Sequence, residues 1–132
     1  MSQVFLDSNV VLYLLSGDEA KAERAEALLK TNPIVSVQVL NEVTSVCRRK
    51  LKLEWIEIQT LLDAIKSYCS VVALTEESHA KAIQLAQVHQ LSFYDAHILS
   101  SAVLSNANIL MTEDLAAGSV LNGVLIQNPF VA

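Results

Sequence analysis

Chain breakers and covalent braces are scarce in this 132-residue sequence, which has 3 glycines, 2 prolines and 2 cysteines. With hydrophobic residues at 52%, that scarcity excludes collagen-like, linker-rich and disordered classes. Cys47 and Cys69 have neither metal-ligand spacing nor the density of a disulfide framework, so they read as small apolar residues kept reduced. Aromatics are 5%, so the core is expected to be aliphatic. Basic residues are few as well: 9 Lys+Arg stand against 14 Asp+Glu, for a net charge of −5. Such a chain does not hold a polyanion by bulk charge; a local patch or bound cations must do it. The run from Val10 to Leu15 is far short of the ~20 residues of a membrane span. The first residues, already acidic at Asp7, lack a signal-peptide pattern. The expectation is a cytoplasmic, non-membrane protein with one domain over residues 1–132.

Along the chain, short apolar runs alternate with helical periodicity. Gln3 to Leu6 reads as a buried strand ending at Asp7, and Asn9 to Ser16 as a helix stopped near Gly17. Asp18 opens an Ala-rich helix to about Lys30, broken by Asn32-Pro33. Ile34 to Ser36 is a short strand. From Val37 the apolar positions Val39, Leu40, Val43, Val46 and Cys47 mark a helix that exits through Arg48-Arg49-Lys50. Trp55, Ile58, Leu61, Leu62 and Ile65 mark another. Val71 to Leu74 is strand-like, Thr75 caps a helix to roughly Val88, and Ser92 caps the next through Leu104. Ile109 to Met111 and Val124 to Ile126 close the series as strands. Short strands apolar on both faces, alternating with helices, predict an α/β/α sandwich with a short, mainly parallel central sheet.

In such sheets ligands collect outside the carboxyl ends of the strands, which directs attention to acids just after strands or at helix starts. Asp7 follows the first strand and Asp114 lies just past Met111. Asp95 is the third residue of the helix capped by Ser92. Glu42 borders the buried face of its helix. Taken singly, Asp7 and Asp95 are also plain helix N-terminal acids, Asp114 a turn residue and Glu42 a boundary acid.

Taken in order, Phe5-Leu6-Asp7-Ser8-Asn9, Leu40-Asn41-Glu42-Val43, Phe93-Tyr94-Asp95-Ala96 and Thr112-Glu113-Asp114-Leu115 resemble the motifs of PIN-domain nucleases, and specifically the toxin-type (VapC-like) branch. The tail from Asp114 to Gly118, then Gly123-Val124 and Asn128-Pro129-Phe130, is similar to that branch's ending. Ala116-Ala117 depart from it, where polar residues are frequent. The resemblance covers essentially the whole chain. It implies a PIN-like fold and a metal-dependent endoribonuclease, the toxin of a type II toxin–antitoxin pair. Asp7, Glu42, Asp95 and Asp114 would be its catalytic, Mg²⁺- or Mn²⁺-binding acids. Asn9 and Thr112 would be polar partners orienting them. RNA as substrate, a small antitoxin and a homodimer are the partners it implies.

The residue types suit that chemistry. Clustered carboxylates repel one another and a phosphate, whereas a hard divalent cation bound by them coordinates the phosphate and activates water. Arg48, Arg49 and Lys50, with Lys52, are candidate RNA contacts, although basic residues at a helix C-terminus also simply complement its dipole. Glu113 is expected to point away from Asp114. His97 lies on a different helical face from Asp95, and His79 and His89 read as surface or boundary residues. Tyr94 reads as packing beside the site or in the core, and Trp55 as core or an interface anchor. Helices over Ala20–Lys30 and Leu53–Tyr68 carry apolar stripes that suit either a partner's segment or the chain's own core. Two other readings are an aspartyl-phosphate phosphohydrolase, suggested by Asp7-Ser8-Asn9 after a strand, and a catalytically silent interaction domain. Asn9 in place of a second Asp, and no Lys after Lys81, oppose the first and equally oppose a phospho-receiver.

Overall fold

A computed structural model describes residues 3–131. Its strands are β1 (Val4–Leu6), β2 (Ile34–Ser36), β3 (Ser70–Val72), β4 (Ile109–Met111), β5 (Val120–Leu121) and β6 (Val124–Gln127). They form one sheet in the order β3-β2-β1-β4-β6-β5, parallel throughout except where β5 pairs antiparallel with β6. The helices are α1 (Ser8–Leu12), α2 (Glu19–Leu29), α3 (Val37–Arg49), α4 (Trp55–Tyr68), α5 (Glu76–His89) and α6 (Phe93–Leu104). Successive strand residues point to opposite faces, yet Phe5 and Leu6, Ile34 and Val35, and Leu110 and Met111 are all buried. Both faces of the sheet are therefore covered, α5 and α6 packing as one pair and α1 to α4 as a second group. This is the α/β/α arrangement that the alternating pattern predicts.

Local signals set the helix starts. Asp7, Asp18, Ser36, Thr75 and Ser92 each accept a hydrogen bond from a backbone N–H of the turn they open. Glu54 and Glu57 close a reciprocal capping box on α4.

Three expectations need correction, and two open alternatives are resolved. The first helix is short, giving way to a 3₁₀ turn over Tyr13–Leu15, and β3 starts one residue before the expected strand. The ending is a hairpin rather than one strand: Asn122 (φ 49°) and Gly123 (φ 82°) make the left-handed two-residue turn joining β5 to β6. Trp55 is 59% exposed, with the Arg48 guanidinium 4.9 Å from its ring centroid, so it is not core. Tyr94, 68% exposed, is not core either.

The topology fixes where a site belongs. From β1 the chain builds outward to β2 and β3, then returns to place β4 on the other side of β1. The carboxyl ends of β1 and β4 therefore flank the point where strand order reverses, the usual crevice of an open parallel sheet.

Candidate functional site

Asp7 leaves β1 directly into that crevice and is buried. Its Oδ1 accepts from the Ser8 backbone N–H at 2.7 Å, capping α1, and its Oδ2 accepts from the Thr112 hydroxyl at 2.8 Å. Thr112 follows β4, and its Oγ1 also accepts from the Asp114 N–H at 3.0 Å and from Asn9 Nδ2 at 3.5 Å. Asn9 Oδ1 in turn accepts from the Glu113 N–H at 3.3 Å. One hydroxyl thus ties the acid after β1 to the acid after β4.

Glu42 and Asp95 arrive on helices. Ser36 ends β2 and caps α3, so Glu42 lies in the second turn, one turn beyond Gln38 on the same face. Gln38 Nε2 donates to the Tyr94 carbonyl at 3.0 Å, joining the first turn of α3 to the first turn of α6, where Asp95 sits. The buried amide is a tie between two helices and was not singled out in the sequence. Its position four residues before Glu42 was the available signal. Gln38→Ala should cost about 1 kcal/mol of stability, the worth of one hydrogen bond, measured by urea denaturation.

The four acids act on one another. Burial pushes the Asp7 carboxyl up to about 6 despite its two hydrogen bonds, and the charges of Glu42 and Asp114 add to the rise. Burial also raises Glu42, helped by Asp95 and Asp114, and raises Asp95, helped by Asp114. Ser8 and Gln38 lie near enough to Glu42 to favour its charge, yet Glu42 Oε1 is buried with no hydrogen-bond partner. A buried carboxylate oxygen without a donor is costly, and a cation is the natural group to satisfy it.

A hard divalent cation fits this donor set, which is entirely carboxylate oxygen. Among the described residues no group of three His, Cys, Asp or Glu side chains is already gathered as a finished metal cage. Mg²⁺ does not require one, because it keeps several waters and commonly takes one or two carboxylates directly.

A model of the PIN domain family matches residues 4–119. The chain belongs to the PIN-domain family. Solved structures share the PIN fold over nearly the whole chain. A toxin–antitoxin complex from Klebsiella pneumoniae aligns with a TM-score of 0.72 at 23% identity, covering 98% of each chain. DNA-bound VapBC from Salmonella typhimurium aligns at 0.72 and 16% identity, covering 98% of this chain and 99% of that one. Mycobacterium tuberculosis VapC20, a Sarcin-Ricin loop cleaving toxin, aligns at 0.67 and 17% identity over 85% and 92%. No curated protein sequence matches the chain.

The remaining residues of interest stand apart from the acids of this PIN fold. Arg48 and Arg49 lie six and seven residues beyond Glu42 on α3, about 9–10 Å further along the axis. Arg48 Nη1 donates to the Leu53 carbonyl at 3.0 Å, and Arg49 Nε to Ser45 Oγ at 2.9 Å, while Lys50 is the C-cap. Glu113 turns to Tyr13, whose hydroxyl donates to its Oε2 at 3.3 Å. His97 is buried, its Nε2 2.9 Å from Ser78 Oγ, and burial lowers its pKa. Because the Ser78 hydroxyl already donates to the Thr75 carbonyl, the ring nitrogen is the donor in that pair. His79 is exposed, and His89 is half-buried against Asn122. Cys47 is buried and Cys69 half-buried, both free thiols. Among the described residues no helix is long and apolar enough to cross a membrane.

Proposed function

We propose that this PIN-domain protein is a Mg²⁺- or Mn²⁺-dependent endoribonuclease and the toxin of a toxin–antitoxin pair. The observation that carries the reading is the convergence of Asp7, Glu42, Asp95 and Asp114 on one crevice, with a buried Glu42 oxygen lacking any partner. Asp7, Glu42, Asp95 and Asp114 would hold the ion, Asp7 and Asp95 as its principal ligands. Bound there, the ion would neutralise the phosphate and lower the pKa of an attacking water. The chain's own contribution is placement. Thr112 fixes Asp7 against Asp114, Asn9 braces the loop after β4, and Gln38 holds α3 to α6 so that Glu42 and Asp95 face one space.

The similar structures from Klebsiella pneumoniae and Salmonella typhimurium are toxin–antitoxin or VapBC assemblies. For this chain an apolar hollow of about 220 Å³ between α2 and α4, lined by Leu14, Leu29, Leu61, Ile65 and Tyr68, supports a small antitoxin as partner. The two stripes read from the sequence meet there. Ile83 and Val88 on α5 and Leu104 on α6 are exposed apolar residues suited to a homodimer contact, which sedimentation at tens of micromolar would register. A site in the cytoplasm completes the proposal.

Purified protein should cleave single-stranded RNA only with Mg²⁺ or Mn²⁺ present, and excess chelator should reduce the rate to background. Undiminished cleavage in chelator overturns the metal mechanism. Growth inhibition on expression alone, relieved by a small protein that co-purifies from the native host, tests the toxin part.

A further inference from the structure

Beside the acids, on the Asp114 side, lies a patch of opposite character. The Tyr13 and Phe130 rings pack with centroids 4.4 Å apart at 56°, joining the 3₁₀ turn to the tail. Lys21 Nζ sits 4.7 Å from the Tyr13 centroid and 5.6 Å from that of Phe130, and donates to the Tyr13 hydroxyl at 3.3 Å. That hydroxyl in turn donates to Glu113 Oε2 at 3.3 Å, and Glu113 is the neighbour of Asp114. Three residues along α2, Arg24 Nε donates to the Pro129 carbonyl at 3.3 Å. Arg24, Met111, Gln127 and Asn128 line a hollow of about 370 Å³. Met111 directly precedes Thr112, whose N–H donates to the Gln127 carbonyl at 2.9 Å, so the hollow adjoins the acidic crevice across a single strand end.

In a chain of net charge −5, two cations stand one helical turn apart on α2, Lys21 linked through Tyr13 to Glu113 and Arg24 to the tail that borders the hollow. Their side chains are held by the tail and by Tyr13, not by ion pairs with the acids. Gln127 and Asn128 line it with side-chain amides, the groups that read base edges; Asn128 Oδ1 already accepts from the Phe130 N–H at 3.0 Å, which leaves its Nδ2 to donate. We infer that this hollow is a nucleotide subsite for RNA: Lys21 and Arg24 meet the backbone phosphates flanking the cleaved linkage, and Gln127 and Asn128 meet the base of the adjoining nucleotide. The Tyr13–Phe130 pair serves as the rigid seat of Lys21. The site explains how an acidic protein draws in a polyanion next to a repulsive pocket. It rests on the nuclease reading for its substrate, but its cations and hollow are separate from the acids.

The test uses a fluorescein-labelled single-stranded oligoribonucleotide and the Asp95→Asn protein in Mg²⁺, so that binding is read without cleavage. Lys21→Gln with Arg24→Gln should weaken binding at least tenfold and flatten the salt dependence by about 1.4 in log–log slope, the loss of two phosphate contacts to a single strand. Lys21→Arg with Arg24→Lys should restore both, which separates charge from support of the tail. In the otherwise native enzyme, Gln127→Ala should change which nucleotide is preferred next to the cut. Unchanged affinity and salt slope in the double Gln variant overturn the subsite, even if the native enzyme cleaves RNA. Conversely, cation-dependent binding with no cleavage by the native enzyme in any metal sinks the nuclease reading and leaves the subsite standing.

Discussion

Asp95→Asn is expected to lower RNA cleavage by about 10³-fold, since losing a ligand to a catalytic cation removes several kcal/mol of transition-state stabilisation. The apo fold should not suffer. Burial and the charge of Asp114 both raise the Asp95 carboxyl pKa, so its ionised form opposes folding at neutral pH. Its backbone N–H still bonds the Ser92 cap, which the amide does not disturb. Thermal unfolding in chelator should show a melting temperature equal to or above that of the native sequence. A clear fall, with or without loss of activity, would make Asp95 a structural helix residue rather than part of a metal-dependent site.

Asp7→Asn should produce the larger effect on stability, and of unusual sign. The folded carboxyl titrates at about 6 against 3.8 in an unconstrained chain, a difference worth about 3 kcal/mol. Between those values the folded state binds more protons than the unfolded state. The favourable contribution is complete below about pH 4 and is lost as pH rises through about 6. Urea denaturation in chelator should therefore find the native protein losing about 3 kcal/mol relative to Asp7→Asn between pH 3 and pH 7. Glu42 and Asp95 push the same way. Asn caps a helix about as well as Asp, so α1 keeps its start. With Mg²⁺ the native protein should regain stability at pH 7 and the variant should not, because an ion that binds only the folded chain stabilises by mass action. Cleavage should rise with pH through the same interval, as the proton competing with the cation leaves Asp7. A pH-independent difference between the two proteins would show that the burial of Asp7 is compensated in another way.

What the sequence revealed was the part governed by near neighbours. Short apolar runs ending at Asp7 or Met111 made strands, and Ser36, Thr75 and Ser92 made helix starts, because capping needs only the next three residues. Asn122-Gly123 belongs in that class and carried its own hairpin signal. For Trp55 the pattern left core and interface anchor open, and the outcome turned on Arg48, whose guanidinium gives the exposed ring a partner at the surface. The family resemblance grouped the four acids, while their spatial links were beyond any spacing rule. Gln38 to Tyr94, Thr112 to Asp7 and Tyr13 to Phe130 join residues 56 to more than 100 positions apart. Such pairings depend on strand order, which single-sequence periodicity does not encode.

The pairing of β1 with β4 has a consequence for the way the protein is made. Asp7 and Thr112 meet across 105 residues, and Phe5 finds Leu110 in the same register. A growing chain emerges from the ribosome N-terminus first, so β1 and α3 are outside before β4 exists. Until then Asp7 has no Thr112, and Asp114 is missing from the crevice. The crevice is completed only when the last fifth of the polypeptide is delivered.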